Sequence, residues 1–432
     1  MPIQRVKGMY DLVPDHTPTW QKLESGASRL LESYGYGEIR LPVLERSELF
    51  SRAIGLATDV VSKEMYSFTD RNDDLLSLRP EGTAGCIRAA IAGGLLKGHM
   101  AKLWYHGAMF RRENVQKGRN RQFYQTGAEV LGLPGPDIDA EMIIMLSRLW
   151  RELEISGLTL ELNSLGTRES RQEYRALLVD YLNDHRGSLD DDSIRRLESN
   201  PLRILDSKNP AMAELIANAP SLLDSLDNAS TDHFAELTAM LDEGGVGYQV
   251  NARLVRGLDY YSRTVFEFKT TELGSQGTVC AGGRYDGLVE MLDGPATPGI
   301  GFSMGVDRLV ALVQQQGNEC AVPAPHVYFV AAGDRAWQMA LSLSERLRDT
   351  VPGLKLTQNL GSGSFRAQFK RADKSGAQLA LVLGEQELAD KTVQIKPLRT
   401  RGQAQVVSHD GLAKAIVSHL NDTAAIDNSP VA

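Results

Sequence analysis

Apolar and polar residues follow two rhythms along this chain, and the points where the rhythm changes mark its organisation. Residues 17–34 carry apolar positions at helical spacing, and Gly35 with Gly37 predicts the end of that helix. EIRLPVLE (38–45) alternates like a strand, and Pro42 lacks a ladder donor, so this strand belongs at an edge or an interface. LLSLRPEGTAG (75–85) reads as strand, turn and helix start. KLWYHGAMFRREN (102–114) and RQFYQTGAEVLG (121–132) are β-rich runs flanking a polar, glycine-containing loop, which predicts a hairpin with a long connection. DAEMIIMLSRLWREL (139–153) is an amphipathic helix and LTLELNSLG (158–166) a strand.

The texture changes after about Thr167. Residues 168–243 are dense in Leu, Asp and Arg, poor in β-branched residues, and read as several helices with NPLRILDSKNP (200–210) as a turn. Strand character returns in YQVNARLVRGLDYYSRTVFEF (248–268), VCAGGRYDGL (279–288) and GIGFSMGVDRLVALV (299–313). The helical stretch is therefore expected to be an insertion within a domain, residues 1–320, built on an antiparallel sheet. Runs of strands favour α+β over an alternating parallel fold. QQQGNECAVPAP (314–325) reads as a linker. Beyond it strand and helix alternate, predicting a small α/β domain over 326–424, of a common autonomous size. The tail 425–432 is expected to fray.

Composition narrows the class. The chain has 432 residues, 42% hydrophobic and 24% charged, which is ordinary for a globular protein of two or three domains. Nothing approaches the roughly 18 apolar residues of a membrane span, and MPIQRVKGMYDLVPDH lacks the apolar core of a secretory signal. Cys86, Cys280 and Cys320 are scattered and never form a C-x-x-C pair, so neither a disulfide framework nor a structural metal site is expected, and a reducing cytoplasm fits best. The net charge of −8 argues against indiscriminate nucleic-acid binding. It leaves room for confined basic strips: RRENVQKGRNR (111–121) balances five positive against one negative, and Arg366, Lys370, Arg371 and Lys374 form a second concentration.

There is no G-x-x-x-x-G-K-[ST] loop, and the glycines at 299, 301 and 305 lack dinucleotide-fingerprint spacing. A nucleotide would have to be gripped by side chains, a task suited to arginine, whose planar fork pairs with phosphate oxygens. Three arginine segments matter: FRREN (110–114), RGLDYY (256–261) and GVDRL (305–309). Singly, each has a bland reading as a charged hairpin end, a strand with core tyrosines, or the start of an amphipathic helix.

Together, in this order, they resemble the motifs of class II aminoacyl-tRNA synthetases, and specifically of the histidine enzymes. GYGEIRLPVLE (35–45) is similar to motif 1, which builds that family's dimer interface. FRREN…GRNRQFYQTGAEV (110–130) resembles motif 2, and GIGFSMGVDRL (299–309) resembles motif 3. LRPEGTAG (78–85) and LVRGLDYYSRTVFE (254–267) resemble segments peculiar to the histidine enzymes, and AGGRYDGL (281–288) also fits. The resemblance runs from about Gly8 to Leu420.

It implies a ligase that activates histidine with ATP, accompanied by Mg2+, and passes it to the 3′ end of its tRNA. Arg111 would bridge the amino-acid carboxylate and the α-phosphate, Arg256 would add positive charge there, and Arg308 would hold the distal phosphates and lie against adenine. Glu113 and Arg119 are implied adenine and phosphate contacts. Glu81, Thr83 and Gln125 would take the ammonium group, while Glu129 and Tyr261 bracket the imidazole with Tyr260 nearby. Gln116, Lys117 and Arg121 fall in the part of the loop that meets RNA. No protein metal site, no membrane contact, a homodimer and an anticodon-binding C-terminal domain are implied as well.

The sequence departs from the family pattern in places. Asn114 and Val115 stand where arginine and proline are usual, and Arg112, Tyr124 and Asp307 replace the commoner His, His and Glu. The alternatives are a non-catalytic histidine-binding regulatory paralogue of an ATP-phosphoribosyltransferase, which should lack the C-terminal domain and the motif arginines, and a class II ligase that charges something other than RNA.

Overall fold

Most of the period-two runs come together in one large sheet. The computed structural model describes residues 3–421 apart from 56, 57, 99, 117, 208, 257, 259, 275, 276 and 362. Two compact units meet between Ala321 and Val322. The strands of the first unit are β1 Gly37–Glu38, β2 Leu44–Arg46, β3 Ser67–Thr69, β4 Leu75–Leu78, β5 Ala101–Phe110, β6 Gln122–Leu131, β7 Thr159–Ser164, β8 Gln249–Val250, β9 Ser262–Lys269, β10 Thr278–Arg284 and β11 Gly299–Gly305. Its helices are α1 Thr17–Ser33, α2 Ser47–Ile54, α3 Thr83–Ala92, α4 Pro136–Glu152, α5 Arg168–Asp184, α6 Asp191–Ser199, α7 Ala213–Ala217, α8 Asn228–Glu243, α9 Leu288–Met291 and α10 Val306–Gln315.

The large sheet has eight strands in the order β1-β5-β6-β11-β10-β9-β7-β8. Every pairing from β5 to β7 is antiparallel, whereas the short edge strands β1 and β8 pair in parallel, so the sheet is mixed rather than purely antiparallel. One face is packed by α1, α4, α8 and α10. On α4, Ile138, Met142, Met145, Leu146 and Leu149 are buried at three- and four-residue spacing, the stripe that an amphipathic helix turns inward. The insertion expected over 168–243 is helical as read, from α5 to α8.

Two expected strands come out differently. EIRLPVLE is split at its proline: β1 joins the large sheet, and β2 pairs with β4 in a separate three-stranded sheet of order β2-β4-β3. A proline cannot donate to a ladder, which is why one continuous strand does not form. The run 248–268 is also broken, with β8 and β9 separated by the irregular stretch that contains Arg256, Tyr260 and Tyr261. Leaving the ladder frees those side chains to turn toward the sheet surface.

A buried polar cluster ties the insertion to the body. Arg284 and Asp139 are fully buried, with Nε of Arg284 at 2.9 Å from Oδ1 of Asp139. Asp139 Oδ2 also receives the Thr264 hydroxyl at 2.6 Å and lies 2.9 Å from Nε2 of His233, on the last helix of the insertion. Oδ2 of Asp139 carries the hydrogen bonds of this cluster, while Oδ1 has no hydrogen-bond partner among the described residues beyond the Arg284 charge beside it.

In the second unit, β12 Val327–Ala331, β13 Leu356–Gln358, β14 Leu379–Leu383, β15 Thr392–Pro397 and β16 Gln405–Ser408 form a sheet of order β13-β12-β14-β15-β16. The helices are α11 Asp334–Thr350, α12 Phe365–Lys374, α13 Glu385–Asp390 and α14 Leu412–Asn421. Residues of α11 and α14 share one hydrophobic core with the sheet, while Phe365, Phe369 and Ala372 of α12 pack with Tyr328 and Val330. α13 is not predicted by periodicity; Glu387 starts it by accepting the Gly384 N–H at 3.0 Å. The tail expected at 425–432 lies outside the described residues. No described helix is long and apolar enough to cross a membrane.

Candidate active site

The strand register creates an open trough on the sheet face opposite α1 and α4. Residues paired across neighbouring strands point to the same face. One row therefore runs Leu103, Glu129, Gly301, Gly283, Val265, and the next runs Tyr105, Gly127, Ser303, Ala281, Glu267. Gly107, Gln125 and Gly305 make a third row across β5, β6 and β11. Small residues thus fill the middle of the face, and the side chains of Glu129, Tyr105 and Tyr261 lie close over it. Two of the glycines are required by close approach: a Cβ at Gly301 would lie 1.6 Å from Oε2 of Glu129, and one at Gly127 would lie 2.4 Å from the Tyr105 hydroxyl.

At one end of the trough the groups are acidic and phenolic. Glu129 has no solvent exposure. Its Oε1 accepts the Thr83 hydroxyl at 2.7 Å and the Tyr105 hydroxyl at 3.2 Å, and its Oε2 accepts the Tyr285 hydroxyl. Burial pushes its pKa from the ordinary 4.5 up to about 8, against the opposing pull of those donors. Glu81 caps α3, accepting the N–H groups of Thr83 at 2.7 Å and Ala84 at 2.9 Å, and burial raises its pKa too. Tyr260 and Tyr261 are buried beside each other with ring centres 4.6 Å apart, and Tyr260 meets Tyr285 edge-on at 5.8 Å.

At the other end the groups are cationic. Arg111, just past β5, donates Nε to the Pro80 carbonyl at 2.8 Å and lies over the Phe123 ring at 5.4 Å. Arg308, in the first turn of α10, reaches the carbonyls of Gly118 and Thr278. Burial lowers its pKa to about 10, and the nearby charges of Arg119 and Arg111 push the same way while Glu113 opposes. Arg119 and Glu113 form an ion pair at 3.1 Å. Arg256 pairs with Glu267 and sits over the Tyr261 ring at 5.5 Å. Nε of Arg119, Nε of Arg256 and Oε1 of Gln125 are buried without a hydrogen-bond partner among the described residues. Buried polar atoms left open are rare and call for an explanation.

Glu81, Thr83, Gln125, Glu129, Tyr260, Tyr261, Arg111, Glu113, Arg119, Arg256 and Arg308 therefore come from separate segments to border one trough. Gln116 and Arg121 lie apart from it: Gln116 closes the loop tip by pairing with Arg119, and Arg121 turns back to the Glu113 carbonyl. Lys117 lies outside the described residues. Three contributors were not singled out by sequence. Tyr105 and Tyr285 hold Glu129, and Glu267 holds Arg256. Tyr285 stands inside AGGRYDGL, and the glycines at alternate strand positions already signalled the trough. Among the described residues, no three His, Cys, Asp or Glu gather to hold a metal ion.

Comparison with known proteins identifies the family of the chain. Residues 8–309 match the histidyl-tRNA synthetase family, and residues 326–419 match the anticodon-binding domain family. An apo histidyl-tRNA synthetase from S. aureus is 32% identical, with 96% of this chain and 100% of that chain covered and a TM-score of 0.81. A histidyl-tRNA synthetase from a Nostoc species shares the fold at 20% identity and a TM-score of 0.70, covering 97% of this chain and 100% of that one. A protein of Bacillus halodurans described as an ATP phosphoribosyltransferase regulatory subunit/histidyl-tRNA synthetase shares the fold at 20% identity and a TM-score of 0.65, with coverage of 89% and 99%.

The raised pKa of Glu129 makes a pH prediction for the ligand-free protein. The folded state retains a proton that the unfolded chain releases, so this contribution to stability is complete below 4.5 and is lost as pH rises toward about 8. Denaturant unfolding of the wild type and of Glu129→Gln across that window should therefore show the wild type losing stability relative to the variant. A pH-independent difference would mean that Glu129 is ionised in the folded state at neutral pH.

Proposed function

Because the chain belongs to the histidyl-tRNA synthetase family, we propose how its own side chains carry out the two steps of a histidine–tRNA ligase. The enzyme converts histidine and ATP to histidyl-adenylate and pyrophosphate, then transfers histidine to its tRNA. The anticodon-binding match at 326–419 weighs against the regulatory-paralogue alternative.

The observation that carries the site reading is the open polar capacity of Arg119, Arg256 and Gln125, buried around a trough whose two ends have opposite chemistry. In the first step an anionic carboxylate attacks an anionic α-phosphate, so charge neutralisation and alignment dominate the barrier. Arg111 bridges the two anions, Arg256 adds charge at the α-phosphate, and Arg308 holds the distal phosphates and lies against adenine. Glu113 and Arg119 meet adenine and phosphate. Glu267 holds Arg256 in place, keeping it oriented before ATP arrives. Mg2+ accompanying ATP would be held chiefly by phosphate oxygens and water, since Glu113 and Glu267 are already ion-paired.

Glu81, Thr83 and Gln125 receive the ammonium group. Glu129 takes an imidazole N–H, with Tyr261 at the opposite nitrogen and Tyr260 beside the ring. An arriving N–H donor favours the charged carboxylate. For the second step, a non-bridging phosphate oxygen of the adenylate serves as base toward the ribose 3′-hydroxyl. Gln116 and Arg121 of the motif 2 loop are assigned to contact with the RNA end, and the family pattern assigns Lys117 to the same contact. In the C-terminal unit, exposed Arg366, Lys370 and Lys374 on α12 and Lys396, 4.8 Å above the Phe369 ring, support RNA contact there. Exposed Val43, Leu44, Phe68 and Leu75 on and beside the three-stranded sheet support a homodimer through segment 35–50. Three unpaired cysteines support work in the reducing cytoplasm.

Replacing Arg256 with Ala should lower histidine-dependent pyrophosphate exchange by at least roughly two orders of magnitude, the cost of one preorganised charge, with little change in histidine affinity. Near-normal exchange would remove Arg256 from the mechanism. A chain ending near Gly317 retains every residue assigned to histidine and ATP, so it should keep exchange while losing charging efficiency. Unimpaired charging by a folded, dimeric truncate would end the anticodon reading of the C-terminal unit.

A further inference from the structure

The N-terminal segment has no part in the mechanism above, yet it touches the motif 2 loop and the start of the motif 3 helix. The Gly8 carbonyl accepts the N–H of Arg121 at 2.8 Å and of Gln122 at 3.3 Å, while the Arg121 carbonyl accepts the N–H of Arg111 at 2.9 Å. The strap thus extends the pairing of the hairpin where motif 2 leaves it. Gly8 has φ +83°, and a Cβ there would lie 2.8 Å from Cγ of Arg121 and 2.9 Å from Cγ2 of Val115. No other residue type could lie this flush on the loop without displacing it.

Two residues on, Tyr10 donates its hydroxyl to Oδ1 of Asp307. Asp307 precedes Arg308 in the first turn of α10. Its Oδ2 accepts the Tyr124 N–H at 2.7 Å, and Nδ2 of Asn120 approaches Oδ1 at 3.4 Å. Trp20 braces both tyrosines, edge-on to Tyr124 at 5.4 Å and tilted to Tyr10 at 6.3 Å. One nearly buried carboxylate is therefore shared by the N-terminal strap, the motif 2 loop, the returning strand β6 and the motif 3 helix. A carboxylate in that position needs its donors, and two of them, the Tyr10 hydroxyl and the Asn120 amide, come from the strap and the loop, which lie outside the sheet. The aspartate is one carbon shorter than the glutamate usual in the family, and the long reach of a tyrosine meets it.

We infer that Tyr10, with Gly8, is a positioning residue for the ATP grip, acting through Asp307 to hold the 111–121 loop against Arg308. This rests on the reading that Arg308 and that loop bind ATP. Arg308 itself touches the Gly118 carbonyl at the loop's tip at 3.4 Å, so a loop that drifts from Asp307 also drifts from Arg308. Glu81, Thr83 and Glu129, assigned above to histidine, take their side-chain hydrogen bonds from α3, Tyr105 and Tyr285 rather than from the strap.

The test is steady-state pyrophosphate exchange by the full chain with Tyr10→Phe, Gly8→Ala, Asp307→Asn and the Tyr10→Phe/Asp307→Asn double variant. Loss of a hydrogen bond to a charged group corresponds to about a ten-fold or greater effect. KM for ATP should rise by about that factor in Tyr10→Phe, with KM for histidine within about two-fold of wild type. The double variant should be no worse than Asp307→Asn, since both remove one linkage. Gly8→Ala, which leaves the Tyr10 hydroxyl in place, should give the same ATP-selective rise. Equal rises for both substrates, or none for ATP, would overturn the assignment. Arg308→Ala separates the two levels: if it leaves KM for ATP unchanged, the ATP reading itself fails, and if it raises KM while Tyr10→Phe does not, only the strap's role falls.

Discussion

A carboxyl group buried in the middle of a β-sheet, Glu129, is the interaction on which the arrangement of this site depends. An unpaired buried carboxylate costs several kcal/mol or neutralises itself, so the fold must supply donors and space. The donors are Thr83 at the start of α3, Tyr105 from β5 and Tyr285 beyond β10. The space comes from Gly301 directly across the ladder, where any Cβ would collide with the carboxyl, and from Gly127 beneath the Tyr105 ring. Helix α3 is in turn started by Glu81, a second buried acid. Satisfying one buried carboxyl group therefore dictates the residue type at five neighbouring positions.

The opposite end of the trough carries the converse problem. Arg308 feels the like charges of Arg119 and Arg111, while Glu113 pairs with Arg119 and Glu267 with Arg256. That unbalanced positive charge is where two anionic substrates can be brought together. Separation of the two ends gives selectivity a physical basis. An amino acid without a ring N–H would leave Glu129 without its ligand partner, and hydrogen-bond discrimination of this kind reaches about 10⁴–10⁵.

Much of this was legible in the amino-acid order, because strands and helices follow local periodicity. The β5–β6 hairpin, the strand running into α10 and the alternating C-terminal unit follow directly from it. The failures have physical causes. EIRLPVLE reads as one strand by alternation, but Pro42 and a change of sheet divide it. RGLDYY looks like part of a strand, but its polar and aromatic side chains are needed off the ladder. Tyr105 meets Glu129 only through the register of the β5–β6 hairpin, and Arg256 reaches Glu267 from outside the ladder, neither of which periodicity reveals. Tyr10 is hidden for the same reason, since its partner Asp307 lies 297 residues away.

The selectivity built around Glu129 can be measured directly by amino-acid-dependent exchange of labelled pyrophosphate into ATP, supplying each standard amino acid in turn at saturating ATP. Histidine should drive exchange, and residues of similar size without a ring N–H, such as glutamine and leucine, should fall short by about 10⁴-fold. Exchange with one of those amino acids at a rate comparable to histidine, or no exchange with histidine, would contradict the assignment of the trough to histidine activation.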